Sequence, residues 1–186
     1  STLISYLETC SWVIEDESSI ELTLAGESYT SLTQQYKNLI IIRSISVSMA
    51  LPGIPMSYLV AHPSTIEQIE NFYDGSSVSL FAEVISPLLI EHNNLEKARE
   101  FLESEIPWLQ CMLSLIPGID IFPAEGNYVM CSYLVPQGMD LGASSVEELE
   151  DKLRMHGFLI RKLDDIRGLE KGRYFCVSVR TREENE

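Results

Sequence analysis

Short apolar runs rich in β-branched residues alternate along this chain with longer stretches of helical periodicity. That alternation predicts an α/β fold rather than an all-α or all-β one. The first predicted strands are Trp12-Val13-Ile14, Leu39-Ile40-Ile41-Ile42 and Tyr58-Leu59-Val60-Ala61. They are nearly free of polar residues, which fits strands covered on both faces in a largely parallel sheet. Between Leu51 and Pro63 the prolines and Gly53 leave room only for a short irregular link. A helix is expected after Pro63, capped by Ser64 or Thr65 with Glu67 in its first turn. Two longer helices follow, over about Ser79 to His92 and Leu95 to Leu115, the second ended by Pro117-Gly118.

Beyond that stop the texture changes. Ile119-Asp120-Ile121-Phe122 and Tyr128-Val129-Met130-Cys131 read as paired strands joined by residues 123–127. Ser144 or Ser145 caps a helix with Glu147 and Glu148 early in it, a capping-box arrangement, and Gly157 ends it. Phe158-Leu159-Ile160 and the run from Tyr174 to Val179 supply two more strands. The pattern therefore predicts two parts, residues 1–93 and 94–186, joined through a helix that bridges the boundary near residues 93–105. The opening residues Thr2-Leu3-Ile4-Ser5-Tyr6-Leu7 read as the middle of a helix, so a truncated product is expected.

Composition narrows the class. At 45% hydrophobic and 22% charged residues, the chain is of ordinary globular type. A net charge of −15 disfavours nucleic acid or an anionic membrane as partner, since both need a basic footprint. Cys10, Cys111, Cys131 and Cys176 are scattered without CxxC spacing and read as free, mostly buried thiols of a cytoplasmic protein. The histidines form no metal-ligand pattern. Arg43 and Pro87 break the longest apolar candidates for a membrane span.

Three segments carry a resemblance. The first is Val13-Ile14-Glu15-Asp16-Glu17-Ser18-Ser19-Ile20-Glu21-Leu22; the second runs from Asn38 through Ile42-Arg43-Ser44-Ile45-Ser46-Val47 to Pro55; the third runs from Arg173 to Asn185. In that order and spacing they resemble pyridoxal-phosphate (PLP) enzymes of the aminotransferase class I/II, fold type I, family. The nearest likeness is to histidinol-phosphate aminotransferase and L-threonine-O-3-phosphate decarboxylase. The resemblance spans nearly the whole chain. It implies the C-terminal part of that fold: residues 1–93 as a partial PLP-binding-like large domain with a mainly parallel sheet, and residues 94–186 as the small α/β domain.

The resemblance also assigns roles, and here the residues depart from the pattern. The family's Schiff-base lysine falls on Val47, which has no amine. Lys37 precedes the same predicted strand and belongs at its opposite end. Asp16 stands where an aspartate pairs with the cofactor's pyridinium, and the tyrosine that contacts the cofactor phenolate falls on Ser19. Ser44 and Ser46 keep the hydroxyls of the phosphate pocket, or are plain strand-end serines, but its arginine is Pro55. The arginine that holds the substrate carboxylate falls on Cys176. Arg180, on the same strand face by period two, and Arg182 are candidates to compensate, or ordinary surface ion-pair partners. Asn127 and Arg161 match family substrate-side positions, or serve turn geometry and surface charge. Cys176 is also a candidate nucleophile if His156 reaches it, against the alternative of a buried strand thiol.

Three functions are consistent with these residues. One is a catalytically degenerate aminotransferase-like protein. Another is a protein that binds PLP or a phospho-amino compound without a covalent bond, through Asp16, Ser44 and Ser46. A third is a non-catalytic module that forms a homodimer or pairs with a related subunit, as the family's dimeric habit implies.

Overall fold

A computed structural model describes residues 2–51, 53–73, 78–91 and 94–186. The chain divides into two compact units, residues 1–97 and 98–186.

The first unit opens with α1 (Thr2–Thr9), followed by β1 (Val13–Asp16) and two short 3-10 turns. Then come β2 (Leu39–Ser44), α2 (Ile45–Ser48) and β3 (Ser57–Ala61). Next are α3 (Pro63–Glu70), α4 (Leu80–Glu91) and the start of α5 (Leu95–Ser114). The order in the sheet is β1-β2-β3. β1 runs parallel to β2 with Val13 opposite Leu39 and Asp16 opposite Ile42. β3 is antiparallel to β2, Ser57 opposite Ser44 and Ala61 opposite Ile40. Residues 45–56 hold only the four-residue α2 and no helix of crossover length, and the chain returns antiparallel beside the strand it left. Leu39 and Ile41 are wholly buried and pack with Leu7, Val13, Leu32 and Val60.

Two sequence expectations shift in this unit. The cap of α3 is His62, whose ring Nδ1 accepts from the Ser64 N–H at 3.2 Å, with Pro63 as the first helical residue. Proline suits that position because its missing N–H has no helical partner there. The helix expected over about Ser79 to His92 is described over Leu80–Glu91, and His92 lies outside the described residues. So does Asn93, where the first predicted part ends.

The second unit carries most of α5, then β4 (Ile119–Ile121), β5 (Tyr128–Tyr133), α6 (Val146–Met155), β6 (Arg161–Lys162), β7 (Tyr174–Ser178) and α7 (Arg182–Asn185). Its sheet is antiparallel throughout, ordered β4-β5-β7-β6. One face presents Val129, Cys131, Tyr133 and Phe175 to a core closed by Leu109 of α5 and Val146 of α6. Period-two alternation sends Tyr128, Met130, Cys176 and Ser178 to the other face. Gly118 is required: at φ +82° a Cβ would stand 2.6 Å from the Leu141 side chain and 2.9 Å from the Leu134 carbonyl. The Ser145 hydroxyl caps α6 by accepting from the Glu148 N–H, while the Glu148 carboxylate accepts from Ser144. Residues 158–160 stay outside the ladder, which pairs only Arg161 with Cys176 and Lys162 with Phe175. All four cysteines are free, and contrary to expectation Cys10 and Cys111 are exposed. Among the described residues no helix is long and apolar enough to cross a membrane.

Ala50 sits in the link after α2 at φ +54°, a left-handed conformation that crowds its Cβ. Ala50→Gly is expected to raise stability by roughly 0.5–1 kcal/mol, the relieved strain less glycine's extra chain entropy. A denaturant midpoint that falls instead, at unchanged slope, contradicts this.

Candidate functional site

The candidate residues of the first unit lie at the C-terminal ends of β1 and β2. Asp16 ends β1 and is exposed. Its Oδ1 accepts from the Ser18 hydroxyl and from the Ser18 N–H at 2.9 Å. These bonds, the hydroxyl's first, hold its carboxyl below the usual aspartate range. Asp16 and Ser19 share a shallow hollow of about 380 Å³ with Glu15, Glu17 and Glu27, an acidic lining that repels an anion.

Ser44 is the last residue of β2 and caps α2, accepting from the Val47 N–H at 3.4 Å. The Ser46 hydroxyl donates toward the Ile54 and Met56 carbonyls at 2.8 and 3.2 Å and accepts from the Met56 N–H at 2.6 Å. Both serines are buried and serve the loop's own backbone. Val47 points an isopropyl group outward, 42% exposed. Lys37 precedes β2, so the six-residue strand, at about 3.3 Å per residue, separates it from Val47 by roughly 20 Å.

A neighbouring cluster was not foreseen. Glu17, buried just after β1, receives Arg43 Nε at 2.8 Å, the Tyr29 N–H at 2.8 Å and the Ser28 hydroxyl at 2.9 Å. Arg43 also reaches Glu21 at 2.8 Å and Ser28 at 2.7 Å. Burial opposes the guanidinium's charge, but the bond to Glu21 and the field of Glu17 outweigh it and raise its pKa. In sequence, Glu17 is merely one of three consecutive acids; its partner lies 26 residues on.

In the second unit the structure brings Asn127, Arg161 and Cys176 together. They line a groove of about 640 Å³ with Tyr128, Met130 and Ser178 on the sheet and Leu159, Ile160 and Leu163 beside it. Met130, Cys176 and Arg161 form a row across β5, β7 and β6. Burial pushes the Cys176 thiol up, partly offset by Arg161. A protonated thiol is a poor nucleophile, and His156 ends α6 without lining the groove. Arg161 pairs with Asp165 at 2.9 Å. Arg180 is not part of the lining; it pairs with Glu184 at 2.6 Å.

Arg182 does more than a surface arginine. It grips Glu105 of α5 with two bonds of 2.9 Å and stacks over the Trp108 ring at 4.1 Å. The paired guanidinium fork and cation–π contact tie the carboxy-terminal turn to α5.

No family model matches the chain. A protein named for threonine-phosphate decarboxylase activity in Caldanaerobacter subterraneus subsp. tengcongensis is 30% identical over 176 residues, 93% of this chain and 46% of the relative. The crystal structure of histidinol-phosphate aminotransferase from Clostridium acetobutylicum superposes with TM-score 0.84 at 22% identity, over 98% of this chain and 55% of that one. That of L-threonine-O-3-phosphate decarboxylase from Porphyromonas gingivalis gives TM-score 0.80 at 18% identity, over 99% and 54%. The chain carries the C-terminal part of the PLP-dependent aminotransferase fold. It spans about half the length of the relatives it matches.

Two outcomes test this aminotransferase-like geometry. Glu17→Ala leaves Arg43 in a largely buried place with only part of its charge compensated, and is expected to cost roughly 3 kcal/mol by chemical denaturation; a loss below about 1 kcal/mol contradicts the network. Glu184 is held down to about 2, first by Arg180 and then by the Thr181 hydroxyl and N–H. Its folded pKa lies below its unfolded value of about 4.3, so the stabilisation is complete above that value and is lost as pH falls through about 2. A carboxyl carbon titration of Glu184 with its midpoint near 4.3 would remove this cap.

Proposed function

We propose that this chain is a catalytically degenerate representative of the threonine-phosphate decarboxylase and histidinol-phosphate aminotransferase type. On this reading residues 1–93 are part of the PLP-binding-like large domain and residues 94–186 the small domain. When bound in such enzymes, PLP supplies an electron sink for charge that develops at the substrate Cα. The residues of this chain do not fit that group as a covalent cofactor.

The observation that carries the reading is the turn after β2. Val47, at the family's lysine position, offers the opening only an isopropyl group. The hydroxyls of Ser44 and Ser46 are engaged with the Met56 and Ile54 backbone, and Pro55 stands at the phosphate arginine's place. Lys37, Arg43 and Lys97 are the cationic side chains of the first unit. Lys37 lies beyond the wrong end of β2, Arg43 is committed to Glu17 and Glu21, and Lys97 belongs to α5. A phosphate dianion at the Ser44–Ser46 turn would meet none of these cations, and the acidic hollow around Asp16 at the neighbouring strand end adds repulsion.

A second reading draws on the groove of the second unit. Asn127, Ser178 and Arg161, the last shared with Asp165, beside a mainly apolar lining suit a small amphipathic anion held without a covalent bond. Cys176 in place of the carboxylate arginine removes bidentate recognition from its floor. Arg180, paired with Glu184, does not replace it.

Titration of the purified chain with PLP separates the readings. Degeneracy predicts no visible Schiff-base band, no stoichiometric borohydride-trapped adduct on any lysine and no shift in melting temperature. Ligand at a hundred times its Kd would add about 2.7 kcal/mol, a shift of several degrees. A stoichiometric lysine adduct refutes degeneracy. A saturable shift without an adduct, abolished by Arg161→Ala, establishes non-covalent binding instead.

A further inference from the structure

The two residues of β6 are sent to opposite faces of the sheet. Lys162 turns to α6, where it pairs at 3.0 Å with Glu150, which also holds Arg154. Arg161 lies on the groove face, opposite Cys176 of β7, and its field reaches the thiol there. Among the described residues it is the only cation in the groove lining. Arg167 and Lys171 of the following loop are exposed and outside that lining. Recognition of a negative headgroup in the groove therefore falls to Arg161.

That guanidinium is already shared. Its Nη2 bonds Asp165 at 2.9 Å, both side chains being more than half exposed. The loop after β6 sets the carboxylate there. Leu163 closes the ladder by donating to the Tyr174 carbonyl, and Ile166 donates back to Leu163 in a turn. Asp164 accepts from the Gly172 N–H at 2.7 Å and clasps the two ends of the loop. Adjacent aspartates thus do different things: Asp164 closes the loop, and Asp165 stands against Arg161. The Asp165 carboxylate makes no other bond among the described residues. An ion pair this exposed is weak and opens readily. An anion arriving at Arg161 nevertheless shares the guanidinium with a group of its own sign.

We propose that Asp165 is the specificity-determining residue of this groove: by holding Arg161 it weakens the binding of amphipathic carboxylates and phosphate monoesters, and it leaves neutral molecules of the same shape unaffected. This rests on the reading of the groove as a site for a small amphipathic anion. The apolar side, built from Leu159, Ile160, Leu163 and Ile166, accepts the body of a charged or a neutral ligand alike. Only the headgroup senses the ion pair. A phosphate dianion is repelled by Asp165 more strongly than a carboxylate is, so removal of that charge helps the dianion more. The groove therefore ranks ligands by headgroup charge, and a side chain outside its lining sets the ranking.

The test is a titration of the full chain with phenylbutyrate, phenethyl phosphate and the neutral phenylbutanamide, followed by the backbone amide resonances of Asn127, Arg161, Cys176 and Ser178. Asp165→Asn is expected to tighten both anions, roughly threefold for the carboxylate and more for the phosphate, and to leave the amide unchanged. The gain shrinks in about 1 M salt, where the Debye length falls to about 3 Å; a purely structural effect of the substitution would not respond in this way. Asp151→Asn, at an exposed position of α6 outside the groove, changes the net charge equally and is expected to leave all three ligands alone. Binding that appears only in Asp165→Asn upholds the proposal. Equal anion affinities in wild type and Asp165→Asn overturn it, as does a gain shared by the amide. Anion binding that is lost in Arg161→Ala but indifferent to Asp165→Asn keeps the anion reading and removes this role for Asp165. No saturable shift at the groove with either anion, in wild type or Asp165→Asn, removes both.

Discussion

The first unit is organised around the guanidinium of Arg43. It leaves β2, meets Glu17 at the end of β1, and reaches across to Glu21 and Ser28 of the connecting segment. Planar geometry lets one side chain satisfy three partners, and low exposure strengthens each bond. The network pins the C-terminal ends of two parallel strands, where ligand sites of open α/β sheets lie. It also commits the cation nearest that edge to carboxylates. Fold and chemistry are thereby coupled: the interaction that fixes the strand ends leaves an acidic rim.

The turn after β2 follows the same economy. Ser46 is a bridge between the Ile54 and Met56 backbone, and Ser44 caps α2. Such hydroxyls cost little to bury because each finds a backbone partner. The loop thus has a structural use for both serines that is independent of any phosphate.

In the second unit the alternation of β5 and β7 divides the labour. Val129, Cys131 and Phe175 build the core, and Met130, Cys176 and Ser178 face the groove. Cys131 and Cys176 therefore differ sharply. Burial first, and then the neighbouring Cys176, push the Cys131 thiol up to about 12. Cys176 sits at the groove with Arg161 as its cross-strand neighbour. Arg182, clasping Glu105 and Trp108, fixes the chain end against α5 so that β7 leaves the sheet in a defined direction.

The residue pattern by itself determined the α/β class, most of the strand cores, a serine cap at Ser144 or Ser145, the Pro117-Gly118 stop and the likeness to the aminotransferases, since these depend on local periodicity, turn geometry and motif order. The resemblance grouped Asn127, Arg161 and Arg180 as substrate-side residues, with Cys176 at the carboxylate arginine's place; Asn127, Arg161 and Cys176 line one groove and Arg180 does not. Only the tertiary structure decided that β3 runs antiparallel, that His62 caps α3, that Glu17 pairs with Arg43, that Arg182 pairs with Glu105, and that Arg180 turns to Glu184. Most of these depend on where a charged or backbone group finds its partner in space, from 2 to 77 residues away. Periodicity reports which face a side chain occupies, but it carries no record of what waits on the other side.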